Sequence, residues 1–190
     1  MLGPEGVVEL IRSYLATGMP AKIAELRARL AVTDTDLRAP ATFVGSTYGR
    51  LEYAQFPAVE VQIQSVGRPT FLDQGGGQVT WRFPYTVRVY TEERGNGFDQ
   101  VELRRKRLYL AVMELLTAHV PLSTSPPAWI DASSLTGSFY GLGTLTSATD
   151  NRSIAATYVE FTVIVEEMTE TAPPLGVADT VIATVHPAVR

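Results

Sequence analysis

Cysteine is absent from the 190-residue chain. That excludes a disulfide framework, a zinc–thiolate centre and a thiol nucleophile, and it suits a reducing compartment. Histidine is almost as scarce. His119 falls just past a predicted helix end, where an imidazolium suits the helix dipole. His186 lies far away in a C-terminal tail, so the two form no metal-ligand or acid–base spacing. No apolar run approaches the ~20 residues of a membrane span. The opening MLGPEGVVEL carries Glu5 and no early basic residue, so it is not expected to be a signal peptide. Positive charge is not in excess: the net charge is −4 and the pI about 5.2. Tight grip on nucleic acid comes mainly from phosphate neutralisation, which this balance does not favour. A soluble protein made inside the cell is expected.

Catalytic signatures are missing too. No Gly-x-Ser-x-Gly elbow is present. Asp73-Gln74-Gly75-Gly76-Gly77 lacks the Gly-Lys-Ser/Thr ending of a phosphate loop and precedes a strand, so it reads as a hairpin tip. Glu92-Glu93, Glu166-Glu167 and Glu170 sit at predicted strand ends without a nearby histidine cluster. They read as solvated ends, not as a metal or glycosidase site. Arg104-Arg105-Lys106-Arg107 points in four directions around a helix. A solvated face, ion pairs between subunits and nucleic-acid contact are its three readings. No enzyme activity and no cofactor are expected.

What is present is a fold. With 45% hydrophobic and 19% charged residues, the chain fits one domain able to bury roughly 70% of its unfolded surface. Trp81–Thr117 organises it, as a strand, a turn and a long helix. Phe83, Tyr85, Val87 and Val89 alternate with Pro84, Thr86, Arg88 and Tyr90, a period of two with one buried face. Gly95-Asn96-Gly97 ends that strand, and Asp99 with Glu102 can form a capping box. On the helix Val101, Leu108, Val112, Leu115 and Leu116 share a sheet-facing sector. Leu103 and Leu110 lie nearly opposite, so the helix wants a second cover. An amino-terminal helical pair (5–16 and 20–31, broken at Thr17-Gly18-Met19-Pro20) or a neighbouring subunit could supply it.

Residues 57–66 form a further predicted strand, joined to the Trp81 strand through a polar loop Gly67–Gln78; a short strand near 42–44 is weaker. Residues 120–134 are rich in Pro and Ser. Strands at 138–146 and 154–166 make a second hairpin across Asp150-Asn151. The expected class is α+β: a mostly antiparallel sheet of about four strands against helices, with an N-terminal helical pair. This domain spans 1–170. Thr171-Ala172-Pro173-Pro174 then links a tail, 171–190, whose Val181-Ile182-Ala183-Thr184-Val185 is β-prone.

FPAVEVQIQ, FPYTVRVYTE, DQVELRRKRLYLAVMELL and RSIAATYVEFTVIVEE, in that order, span Phe56–Glu167. This order, with a leading helix at Val7–Leu15, resembles the tail terminator proteins of long-tailed bacteriophages. The resemblance implies a structural virion protein assembled as a ring, commonly a hexamer, that caps the tail tube, ends its elongation and joins tail to head. It implies as partners further copies of the chain, the tail tube protein and a head–tail connector or stopper, with DNA passing through without tight binding. The expected location is the tail–neck junction of the virion, after assembly in the host cytoplasm. The segment 120–137 and the Pro-linked tail depart from the family's compact form. Another head–tail neck protein is the alternative, and a small hydrolase or ligand-binding domain a third. Leu103, Leu110, Arg104, Arg107, Asp73, Gln74, Gly76, Val181 and Val185 are the candidate contacts to neighbours or partners.

Overall fold

Apolar side chains at nearly every fourth position carry the first helix straight through its proline. The computed structural model describes residues 2–45, 55–75, 78–96, 98–118, 121–140 and 152–170. In it, α1 (Gly3–Leu30) is a single helix burying Val7, Ile11, Leu15, Met19, Ile23 and Leu26. The expected helical pair is therefore corrected to one element. Pro20 removes the hydrogen bond to the Ala16 carbonyl, a local cost of about 3 kcal/mol. Burying six large apolar side chains, at about 1.5–3 kcal/mol each, outweighs it. Gly18, read as part of a break, serves a close approach instead: a Cβ there would stand 2.9 Å from Leu115 Cδ2. The helix ends at Ala31, in the left-handed region with φ of 52°.

The sheet is larger than expected, with seven strands among the described residues. They are β1 (Thr42–Gly45), β2 (Ala58–Val66), β3 (Thr70–Gly75), β4 (Gln78–Asn96), β5 (Ser123–Thr124), β6 (Pro127–Tyr140) and β7 (Arg152–Glu170). The order is β1-β2-β4-β7-β6-β5, with β3 also beside β4. Only the β1–β2 pair is parallel, so the sheet is mixed but mainly antiparallel, and the α+β class stands. At its centre β4 and β7, each 19 residues long, pair from Gln78↔Glu170 to Asn96↔Arg152 without a register shift.

Two loop readings are also corrected. Of the polar loop Gly67–Gln78, residues 70–75 are β3, which continues the path of β2 along the same edge of β4. The interruption at Gly67-Arg68-Pro69 sits opposite Pro84. Gly67 N–H donates to the Pro84 carbonyl at 2.8 Å. A strand residue's N–H and C=O point to the same side, so the donor that Pro84 lacks faces this gap and leaves the β7 ladder intact. The second correction is β6, which begins within the Pro/Ser-rich segment. Trp129 and Ile130 pair there with Ile164 and Val163. Gly141–Asn151, where the hairpin turn was expected, lies outside the described residues.

The second helix, α2 (Phe98–Leu116), lies on β4 and β7, while α1 packs on β1, β2 and α2. One face of the sheet thus meets both helices. Val59, Val61, Tyr85, Val87, Val89, Val159, Phe161, Val163 and Val165 are buried there against Leu108, Ala111, Val112 and Leu116. The period of two expected in the strands holds. Leu115 departs from the expected stripe: it is half-buried, turned toward Gly18 of α1, and its carbonyl accepts the Tyr14 hydroxyl at 2.7 Å. Lys22 and Arg29 both pair with Glu114, tying α1 to the same end of α2.

Candidate interaction surface

The expected contact residues divide between opposite ends of β4. At its C-terminal end Leu103, Arg104 and Arg107 line a shallow cleft of about 150 Å³ with Thr35, Asp36 and Gln100. Leu103 is 47% exposed. Arg107 Nη1 donates to the Asp36 carbonyl at 3.0 Å and lies 3.8 Å from its carboxylate. The Thr33 hydroxyl and amide hold the Asp36 carboxyl below its ordinary range, helped by Arg107 and Arg104. Leu110 parts company with Leu103: it is half-buried and packs on the core. Of these two leucines only Leu103 is left open.

At the other end Asp73 and Gln74 are exposed on β3, opposite Thr80 and Val79. The Asp73 carboxylate accepts the Gln74 amide at 2.7 Å. The register Gly75↔Gln78 leaves a two-residue connection, so the polar tip is shorter than expected. Gly76, Val181, Val185, His119 and His186 lie outside the described residues. Near β3 stand four of the exposed large apolar side chains: Val66, Phe71 and Leu72 along one edge, and Met168 on β7, opposite Thr80 and so on the other face from Phe71 and Trp81. Phe71 meets Trp81 edge-on, with ring centroids 5.7 Å apart. Nearby is a cavity of about 620 Å³, lined by Leu2, Thr80, Ser125, Pro126, Glu167 and Met168 among others.

Between these ends, the face that turns away from the core carries cross-strand pairs in register. Arg82 pairs with Glu166 at 2.6 Å and Arg88 with Glu160 at 2.5 Å. Tyr90 packs on Tyr158 at 5.6 Å, and Arg88 lies over the Tyr158 ring at 4.6 Å. Hydrogen bonds to Tyr90 and Glu160 hold the Arg88 guanidinium above its ordinary value. Such directly opposed pairs stabilise a sheet locally, by roughly 0.2–1 kcal/mol each. They match Arg82 and Arg88 with carboxylates, whereas the Glu92 carboxyl on the same face is raised by burial and by the neighbouring Glu60 charge.

Three buried charges were missed. Glu93, read as a solvated strand end, is 1% exposed, and its Oε1 accepts from Arg38 Nε and Nη2 at 2.9 and 2.6 Å. Burial pushes its carboxyl up, and the Arg38 bond and charge oppose that. Glu167, from a second such cluster, is buried and accepts the Leu2 N–H at the start of α1. Arg105 is buried too, donating to the Ala156 carbonyl at 2.8 Å and pairing with Glu102 at 2.9 Å. None of the three readings of the basic run fits Arg105. Glu102 pairs with Arg105 and Lys106 of the basic run. The signal was available in each case. Glu93 and Glu167 share the parity of Val89 and Val165, and Arg105 lies four residues after Val101 on the buried stripe.

Among the described residues no group of His, Asp and Glu is placed to hold a metal ion, and no helix is long and apolar enough to cross a membrane. Neither a family model nor a curated protein matches the chain.

Proposed function

We propose that the chain is a structural subunit of a phage tail–neck junction, a ring-forming tail terminator that caps the tail tube, ends its elongation and joins tail to head. The observation that carries this reading is the overhang of the central sheet. At about 3.3 Å per residue the β4–β7 pair runs for roughly 60 Å, whereas α2, at 1.5 Å per residue, covers about 28 Å, and α1 reaches toward the far end as far as Leu2 on Glu167. That end carries exposed Phe71 on one face of the sheet and exposed Met168 on the other, with Val66 and Leu72 along the same edge as Phe71, apolar side chains suited to burial against another protein. The element order that resembles tail terminators supports it as well. So does the outer face, whose Arg82 and Arg88 are neutralised by carboxylates and whose Glu60 and Glu92 add negative charge, which suits a wall past which DNA moves without tight binding. In this reading the chain performs no chemistry. Its partners are further copies of itself, the tube protein and a connector or stopper on the head side, and its place is the virion.

Electron microscopy and mass measurement of the purified chain test this directly. A closed ring, six subunits for a hexamer, that decorates tube ends is the expected result, and phage lacking the protein should make headless tails of uncontrolled length. A strict monomer that never binds tubes rejects the proposal. Binding to the head-side assembly alone would favour the neck-connector alternative.

The divergence of Leu103 and Leu110 sharpens a mutational test. Leu103→Glu should change stability by no more than about 0.5 kcal/mol, as exposed substitutions do, yet reduce assembly if the Leu103 cleft meets a neighbour. Leu110→Glu should destabilise the isolated subunit by about 1–3 kcal/mol, because a charge enters a half-buried apolar contact. Melting and oligomer mass, measured together, separate the two. Equal melting losses for both variants would contradict the assignment.

A further inference from the structure

Of the two carboxylates buried among the described residues, Glu93 has Arg38, whereas Glu167 has no cation there. Glu167 is 4% exposed. Its Oε1 accepts the Leu2 N–H, and its Oε2 is buried without a hydrogen-bond partner. A buried carboxylate oxygen left unpaired is costly, and such groups are few in folded proteins. Glu167 also lines the cavity of about 620 Å³, a volume within the usual range of small-ligand sites. The register explains the opening. β6 begins its pairing with β7 at Ala128↔Val165, so from Glu166 onward β7 has no strand on that side among the described residues. The segment Thr124–Pro127 forms one wall of the gap, and Leu2, at the start of α1, another.

The lining limits what can fill this space. Leu2, Pro126, Pro127 and Met168 are apolar, Glu166 and Glu167 are acidic, and among the described residues no lining side chain is basic. Glu166 is already matched, because its Oε1 accepts from Arg82 Nη2 at 2.6 Å and Nε at 3.1 Å. The unmatched charge is Glu167. No described group of His, Asp and Glu is placed to hold a metal ion, and the apolar walls suit an organic cation better. With Oε1 taken by Leu2, a single oxygen is left for an incoming donor. One acceptor suits the point charge of an ammonium, whereas a guanidinium draws its advantage from two parallel bonds to one carboxylate. Apolar walls around a charged base suit an aliphatic stem that ends in that ammonium.

We propose that this cavity binds a primary alkylammonium, the nitrogen donating to Glu167 Oε2 and the stem lying against Leu2, Pro126 and Pro127. A free alkyl amine and a lysine side chain of another protein share this chemistry. The assignment does not rest on ring formation or on the phage reading.

The probe is n-butylamine, which reproduces the lysine side chain, titrated at pH 7 and constant ionic strength into the full isotope-labelled chain and followed by NMR. Saturable shifts at the amides of Leu2, Thr124, Ser125 and Glu166–Met168 are expected, in the millimolar range for so small a probe. 1-Butanol offers the stem without the charge, and ammonium chloride the charge without the stem. Each should bind about tenfold or more weakly than butylamine. Glu167→Gln keeps an acceptor for the Leu2 N–H but removes the charge, and should weaken butylamine by about tenfold or more. The butanol comparison uses the unaltered chain, so it stands whether or not that variant folds. Nα-acetyl-lysine methylamide separates the two sources. Binding equal to that of butylamine assigns the site to a protein-borne lysine, and binding about tenfold weaker assigns it to a free amine. No saturable shift up to about 100 mM butylamine, equal binding of butylamine and butanol, or butylamine binding unchanged in folded Glu167→Gln would each overturn the proposal.

Discussion

Replacing Arg38 with methionine is expected to destabilise the fold by about 3–5 kcal/mol at pH 7.5, the usual consequence of stripping the partner from a buried charge, and by much less at pH 4.5. Glu93 sits on the core-facing register of β4 at 1% exposure, and only its Oε1 is engaged; Oε2 is buried without a hydrogen-bond partner. Burial raises its carboxyl above the ordinary range, while the Arg38 bond and the Arg38 and Arg104 charges pull it down. A carboxyl raised in the folded state holds its proton more tightly there than in the unfolded chain. Stability attributable to it therefore falls as pH rises from the ordinary glutamate value through the raised native one. Removing Arg38 lifts the native value further, so the variant should lose stability over a wider window. At the ordinary value Glu93 is protonated in the folded variant and half protonated in the unfolded chain, so most of the penalty has already disappeared. What remains is packing and the bond that Arg38 Nη2 gives to the Arg94 carbonyl at 2.9 Å. Urea unfolding at the two pH values measures this, and Glu93→Gln in the Arg38→Met background should flatten the pH dependence. An equal loss at both pH values would mean that Arg38 acts through packing alone.

The second large effect concerns one strand seen from its two sides. Phe161→Ala should cost about 3–5 kcal/mol, the range for emptying a buried aromatic site. Phe161 lies at the middle of β7, 1% exposed, within the cluster shared by both helices. That cluster draws on two helices and four further strands, so collapse around the gap is limited. Ile164, three positions on, belongs to the opposite face and is only half-buried beside Trp129. Ile164→Ala should cost about 1 kcal/mol in the isolated subunit, near the centre of the distribution for point substitutions. Chemical unfolding of the two variants compares the faces. Similar losses would mean that the outer face is packed as tightly as the inner one.

Much of this architecture was legible because strand periodicity is a local signal. The alternation in 83–89 and 159–165 identified the buried register, and the stripe Val101, Leu108, Val112, Leu116 identified the face of α2. The misreadings share a cause. Pro20, the Gly- and Asp-rich stretch before Gln78 and the Pro/Ser-rich stretch before Trp129 all carry strong local breaking signals. In each, contacts distant in sequence prevail: the α1 stripe against the sheet, β3 against β4, and β6 against β7. Composition also misled for Glu93, Glu167 and Arg105. Charged residues were assigned to solvent by type, although their parity and helical phase put them inside. Of the candidate contacts, Leu103, Arg104 and Arg107 do share one cleft, whereas Asp73 and Gln74 stand at the far end of β4. The exposed apolar group around Phe71 was hidden, because the β2–β3 continuity that assembles it is a tertiary property.

The uninterrupted β4–β7 ladder has a mechanical consequence. Its cross-strand hydrogen bonds run perpendicular to the strands, so tension applied to opposite ends of the two strands loads the bonds together in shear. The same tension applied at one end would open them one after another. The pairing of Glu170 with Gln78 and of Arg152 with Asn96 puts the strand ends at opposite poles of the molecule. A subunit gripped at those poles would behave as a stiff tie rod, resisting axial strain along its length.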